Sequence, residues 1–136
     1  MVQTVATNWW ALAVAVVTNF VIGGIWYSPT LFIKPWLAMS GVNKAEFDKG
    51  LPTALVGDLF ASTAMAFVLA HAIRYEGAGD LAQGLLVTFW CWLGFVAAVM
   101  IASVTYEHRP FKYFAINAGY RFVTMVAMGS ILTLWR

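Results

Sequence analysis

The sequence predicts an all-α integral membrane bundle of four transmembrane helices, with a short interfacial segment after the first. Three observations carry this. The 136 residues are 62% hydrophobic and only 10% charged, whereas about a quarter of the residues of a soluble domain are charged. Four apolar stretches each approach the roughly 20 residues that a helix needs to cross a hydrocarbon core of about 30 Å. Trp and Tyr stand at several of their ends, where amphipathic rings settle at a membrane surface.

Taken in order, the spans fall at about 9–27, 53–73, 81–106 and 113–135, within one domain covering residues 1–136. The first has no charged residue and is bracketed by Trp9/Trp10 and Trp26/Tyr27. Ala11, Ala15, Asn19 and Gly23 recur every four residues along it and share a face, the small-residue pattern that lets helices approach closely in lipid. The stretch before it, Met1 to Asn8, carries no Lys or Arg and no cleavage pattern, so the first helix is expected to be retained. Ser28-Pro29 is expected to end that helix. The loop 28–52 is apolar and aromatic over Leu31–Met39 and too short there to cross, which places it in the headgroup zone. Asn43, with Glu46 three positions on, predicts the cap of a short helix ending near Gly50, ahead of Leu51-Pro52. The second span contains Asp58 and Ser62 on one face. In the third, Trp90, Gly94, Ala98, Ala102 and Tyr106 recur every four residues along one stripe, the spacing of a packing face.

Charge is sparse. A net charge of +2 without a basic run excludes a nucleic-acid footprint. The lone Cys91 cannot form an intrachain disulfide and reads as a small apolar side chain. No cofactor, metal or catalytic residue is expected, since the sequence has no His-Glu-x-x-His spacing, no phosphate-binding Gly-Lys-Ser/Thr and no evident nucleophile with its base. Loops 28–52 and 107–112 hold Lys34, Lys44, Lys49, Arg109 and Lys112, against Arg74 and Arg136 on the opposite side. This bias places those loops in the cytoplasm and both termini outside, in a bacterial inner membrane.

The most informative residues are the charges inside the spans. Asp58 and Arg121 each sit in an otherwise apolar segment, where a charge costs about 2.5–3.5 kcal/mol and normally finds a partner or a wet cavity. At about 1.5 Å per residue, Asn19, Asp58, Asn117 and Arg121 all lie roughly 6–12 Å from the cytoplasmic ends of their helices. Asn19, Asp58, Asn117, Tyr120 and Arg121 are therefore expected to form one intramembrane polar cluster. Glu107 is a secondary candidate partner, should Arg121 extend towards the interface. Such a layer acts either as register-fixing contacts between helices or as a site.

The run Asn19-Phe-Val-Ile-Gly23-Gly-Ile-Trp26-Tyr27-Ser28-Pro29, with Phe32 and Lys34-Pro35-Trp36, Glu107-His-Arg109-Pro110 and Asn117-Ala-Gly119-Tyr120, resembles the small bacterial membrane proteins grouped as the domain-of-unknown-function 1761 family. The resemblance implies a four-helix membrane protein and no assigned activity. With seven Trp on a short chain, the expected role is a structural or accessory, lipid-interacting one. The expected partners are membrane lipids and either further copies of the chain or a larger membrane complex. The alternative is a small oligomeric transporter or channel for ions or a small anionic solute, with Asp58 and Arg121 on its path.

Overall fold

In the computed structural model, which describes residues 6–136, five helices account for most of the chain. They are α1 (Trp9–Trp26), α2 (Ile33–Ser40), α3 (Lys44–Tyr75), α4 (Leu81–Thr105) and α5 (Phe111–Leu134). Among the described residues there is no strand. All but α2 are long and apolar enough to cross a membrane. The expectation of a retained first helix rests partly on residues 1–5, which lie outside the described residues.

Local signals account for most helix ends. Asn8 caps α1, its Oδ1 accepting from the amides of Trp10 (3.1 Å) and Ala11 (3.2 Å), which satisfies donors that a helix start leaves free. Asn43 caps α3 through a 2.8 Å bond from the Glu46 amide, and its Nδ2 donates to the Glu46 carboxylate at 3.0 Å. Asp80 caps α4 through the Gln83 amide at 2.9 Å. Gly41 closes α2 with φ 79°, a left-handed conformation that a side chain would strain.

Pro52 departs from expectation. The helix begun at Lys44 does not stop near Gly50 but runs through Leu51-Pro52 to Tyr75, 32 residues in all. Segment 28–52 is therefore a turn, the short helix α2, and the first turns of a long helix. Proline lacks one N–H, so it removes a single bond to the Asp48 carbonyl; breaking the helix there would free several carbonyls and amides close to the membrane. At about 48 Å by its rise, α3 is longer than the hydrocarbon core and projects beyond it.

The four long helices pack with α5 against α1, α3 and α4. The apolar core lies towards the termini, where Ala11, Leu12, Ala15 and Val16 of α1 meet Ala66, Leu69 and Ile73 of α3 and Met128 and Leu132 of α5. The stripe predicted for α1 faces inward, with Ala11, Ala15 and Asn19 fully buried. The stripe predicted for α4 does not. Trp90 and Tyr106 are 59% and 85% exposed, and a Cβ added at Gly94 would meet nothing. The face that α4 packs carries Gly84, Thr88 and Ala97 instead. Lipid tails are as apolar as a protein interior, so small apolar residues suit an outward face too, and spacing alone cannot separate the two.

Gly84 and Thr88 of α4 meet Gly129 and Thr133 of α5 reciprocally: a Cβ on Gly84 would collide with Thr133, and one on Gly129 with Thr88. Each threonine hydroxyl donates to the carbonyl of the glycine one turn earlier in its own helix, Thr88 to Gly84 at 2.8 Å and Thr133 to Gly129 at 2.6 Å. Neither hydroxyl is left without an acceptor. Beyond this seam α4 passes through a π-helical turn at Leu93–Ala97, after which none of its residues is buried.

Candidate functional site

Asn19 reaches the interior because α1 presents its small-residue face there, and it is fully buried. Its Nδ2 donates to Asp58 Oδ2 on α3 at 2.9 Å. From α5, Arg121 Nη2 donates to Asp58 Oδ1 at 3.2 Å, an ion pair between helices, and Nη1 reaches Asn19 Oδ1 at 3.4 Å. The Tyr120 hydroxyl donates its one proton to Asn19, shared between Oδ1 (2.9 Å) and the carbonyl (3.1 Å). The Tyr120 hydroxyl can come so close to α1 because residue 23, one turn beyond Asn19, is glycine; a Cβ there would sit 2.8 Å from that hydroxyl. The Arg121 guanidinium also lies 5.0 Å from the centre of the Tyr120 ring, within cation–π range.

Asn19, Asp58, Tyr120 and Arg121 thus form one connected set across α1, α3 and α5. Asn117 is a neighbour rather than a member. Its Oδ1 accepts from Tyr27 Oη at 2.7 Å, and the Tyr27 ring meets the Tyr120 ring edge-on at 5.3 Å. Reading Tyr27 only as an interfacial aromatic misses this bond, because nothing local to Tyr27 identifies a partner 90 residues away. Ser62, one turn after Asp58, is buried and donates to the Asp58 carbonyl at 2.6 Å.

Glu107 does not join the set. It is exposed at the end of α4, and among the described residues Arg121 pairs with Asp58 instead. Arg121 lies ten residues into α5, about 15 Å along the axis, too far for its side chain to return to that end. The neighbouring Arg109 is engaged elsewhere, where its Nη1 donates to the Met39 carbonyl at 2.7 Å and ties the α4–α5 connection to the end of α2.

Electrostatics decides what such a pair can do. At 3.2 Å and an effective dielectric of 20, the gross attraction is about 5 kcal/mol. Two separately inserted charges cost about 5–7 kcal/mol together. The pair therefore nearly cancels its own cost, and the Asn19 bonds to both charges, with the Tyr120 ring beside the guanidinium, offset what is left. The side chains of Arg121 and Asp58 remain 24% and 25% exposed, so the pair has one open edge. Among the described residues, no three His, Cys, Asp or Glu side chains come together to hold a metal ion.

A family model described as "Protein of unknown function (DUF1761)" matches residues 10–133, nearly the whole chain, and all of the residues above lie inside that match. No curated protein and no solved structure matches the chain. The chain belongs to the DUF1761 family.

Proposed function

We propose that this chain is a structural or accessory protein of a bacterial inner membrane, which acts through its lipid- and protein-facing exterior and uses the Asp58–Arg121 pair as an internal lock. The observation that carries the reading is the engagement of both Asp58 oxygens: one takes Asn19 and the other Arg121, so a single side chain joins three helices. A carboxylate tied through both oxygens to two other helices suits register-fixing better than turnover, and on this reading the protein is not an enzyme. The exterior supplies the working surface, with Trp9, Trp10, Trp90, Phe60, Phe95 and Phe111 all well exposed. Its partners are membrane lipids together with further copies of the chain or a larger complex. The excess of Lys and Arg in the 28–52 and 107–112 connections supports cytoplasmic placement of that end, with the termini outside. Native mass spectrometry of the protein released from its own membranes tests the reading. Retained lipid or a protein partner is expected, and recovery of a lone, lipid-free and stable chain would overturn it.

The open edge of the ion pair favours a second reading, a small oligomeric transport module for ions or a small anionic solute. Proteoliposome flux that is abolished by Asp58→Asn, at unchanged protein level, would establish that role. Flux that survives both Asp58→Asn and Arg121→Ala would remove it.

A further inference from the structure

On the outer face of the α4–α5 pair lies a groove of about 340 Å³, lined by Phe89 and Trp92 of α4 and by Phe114, Ala115, Ala118 and Phe122 of α5. The volume falls at the lower end of the usual range for ligand sites, about 300–1,000 Å³. Its one conspicuous polar atom is already used, since Trp92 Nε1 donates to the Ala118 carbonyl at 2.9 Å. What remains on offer is carbon, so the fitting occupant is hydrocarbon.

Depth and charge narrow it further. Phe114 and Phe122 lie three and eleven residues into α5, roughly 5 and 17 Å along its axis, a length of about 12 Å that fits within one leaflet's acyl region of about 15 Å. Lys112 precedes Ala115 by three residues, which puts it on the same flank of α5 one turn nearer the surface. It is exposed, and among the described residues it has no hydrogen bond or ion pair. A basic residue one helical turn beyond the lining of an apolar groove, on the same flank, suits the phosphate of a lipid whose chain fills that groove. A second copy suits it less: a two-fold axis along the membrane normal would bring the partner's lysine to the same depth, like charge against like.

We propose that this groove binds one anionic phospholipid from the leaflet on the Lys112 side, with an acyl chain among Phe89, Trp92, Phe114 and Phe122 and the phosphate at Lys112. The proposal rests on the lipid-interacting reading above and assigns it a place. The full chain, reconstituted in nanodiscs of equal phosphatidylglycerol and phosphatidylcholine and released for native mass spectrometry, should retain phosphatidylglycerol in roughly fivefold preference, the ratio that one lysine near a membrane surface supplies. Lys112→Gln should bring the ratio to about one. Ala115→Trp, at an exposed position, should fill the groove and abolish retention of both lipids. Lys112→Gln leaves the packing untouched and carries the test alone if Ala115→Trp fails to fold.

Equal retention of the two lipids by the wild type would overturn the proposal. So would a wild-type preference that neither variant changes, although the lipid-interacting reading would then stand. A dimer that Ala115→Trp dissociates would assign the groove to a second copy and likewise overturn it. A wild type that retains no lipid and no partner would remove both readings.

Discussion

Asn19 Nδ2 on α1 donates to Asp58 Oδ2 on α3 at 2.9 Å, so the carboxylate facing Arg121 is held from its other side by a neutral amide. The same side chain accepts from Tyr120 and Arg121 through Oδ1. Replacing Asn19 by Ala should therefore cost about 1–3 kcal/mol, since it leaves partly buried groups without partners. Tyr120→Phe, which removes only a hydroxyl, should cost about 0.6–1 kcal/mol. Unfolding of the two variants in lipid would check the order; equal losses would contradict the placement of Asn19 at the centre.

The ion pair predicts non-additivity. Asp58→Ala strands the Arg121 charge, and Arg121→Leu strands the Asp58 charge. Each should destabilise by roughly 2–4 kcal/mol, somewhat below the cost at a fully buried pair because one edge is open. The double variant should fall short of the sum by about 1–3 kcal/mol. A thermodynamic cycle in bicelles measures the difference, and additive losses would count against a direct pair.

At the α4–α5 seam, Gly84 faces Thr133 with no room for a Cβ. Gly84→Ala should destabilise by about 1–3 kcal/mol through overpacking. Moving the missing side chain to the other helix, as Gly84→Ala with Thr133→Gly, should recover part of the loss. No recovery would mean that the close approach of Gly84 to Thr133 is not what sets the fit of the seam.

Arg109 secures α2 through the Met39 carbonyl at 2.7 Å and lies 5.6 Å from the Tyr113 ring centre. Arg109→Ala should raise hydrogen exchange over residues 37–42 and leave the exchange of α1 and α5 unchanged. This is the local opening expected where a short helix loses its tie at one end while the Trp36 ring contacts with Tyr27, Phe47 and Tyr113 remain. Faster exchange throughout the bundle would mean that Arg109 supports more than α2.

Orientation can be read by labelling. In a Cys91→Ser background, Lys49→Cys should react with an impermeant maleimide in inverted but not in right-side-out vesicles, as the proposed orientation from the excess of basic residues at that end predicts. The opposite pattern would place the termini in the cytoplasm.

Much of this molecule is legible in its residues alone. Four helices long and apolar enough to span follow from the sum of side-chain transfer energies along each segment, which depends on no other part of the chain. The cap at Asn43 is equally local. Asp58 and Arg121 stand out because each is an ionised residue in an apolar stretch, and the insertion cost asks for a counter-charge. The continuation of α3 through Pro52 is not legible, because proline disfavours a helix locally while the membrane boundary penalises the free carbonyls of a broken one.

Tertiary structure alone decided which face of α4 packs, that Thr88 and Thr133 fill each other's glycine gaps, that Tyr27 holds Asn117, and that Glu107 stays out of reach of Arg121. In water, burial separates an apolar face from a polar one, so periodicity reveals the inside of a helix. In a bilayer the outside is apolar too, and only the shape of the neighbouring helix chooses between faces.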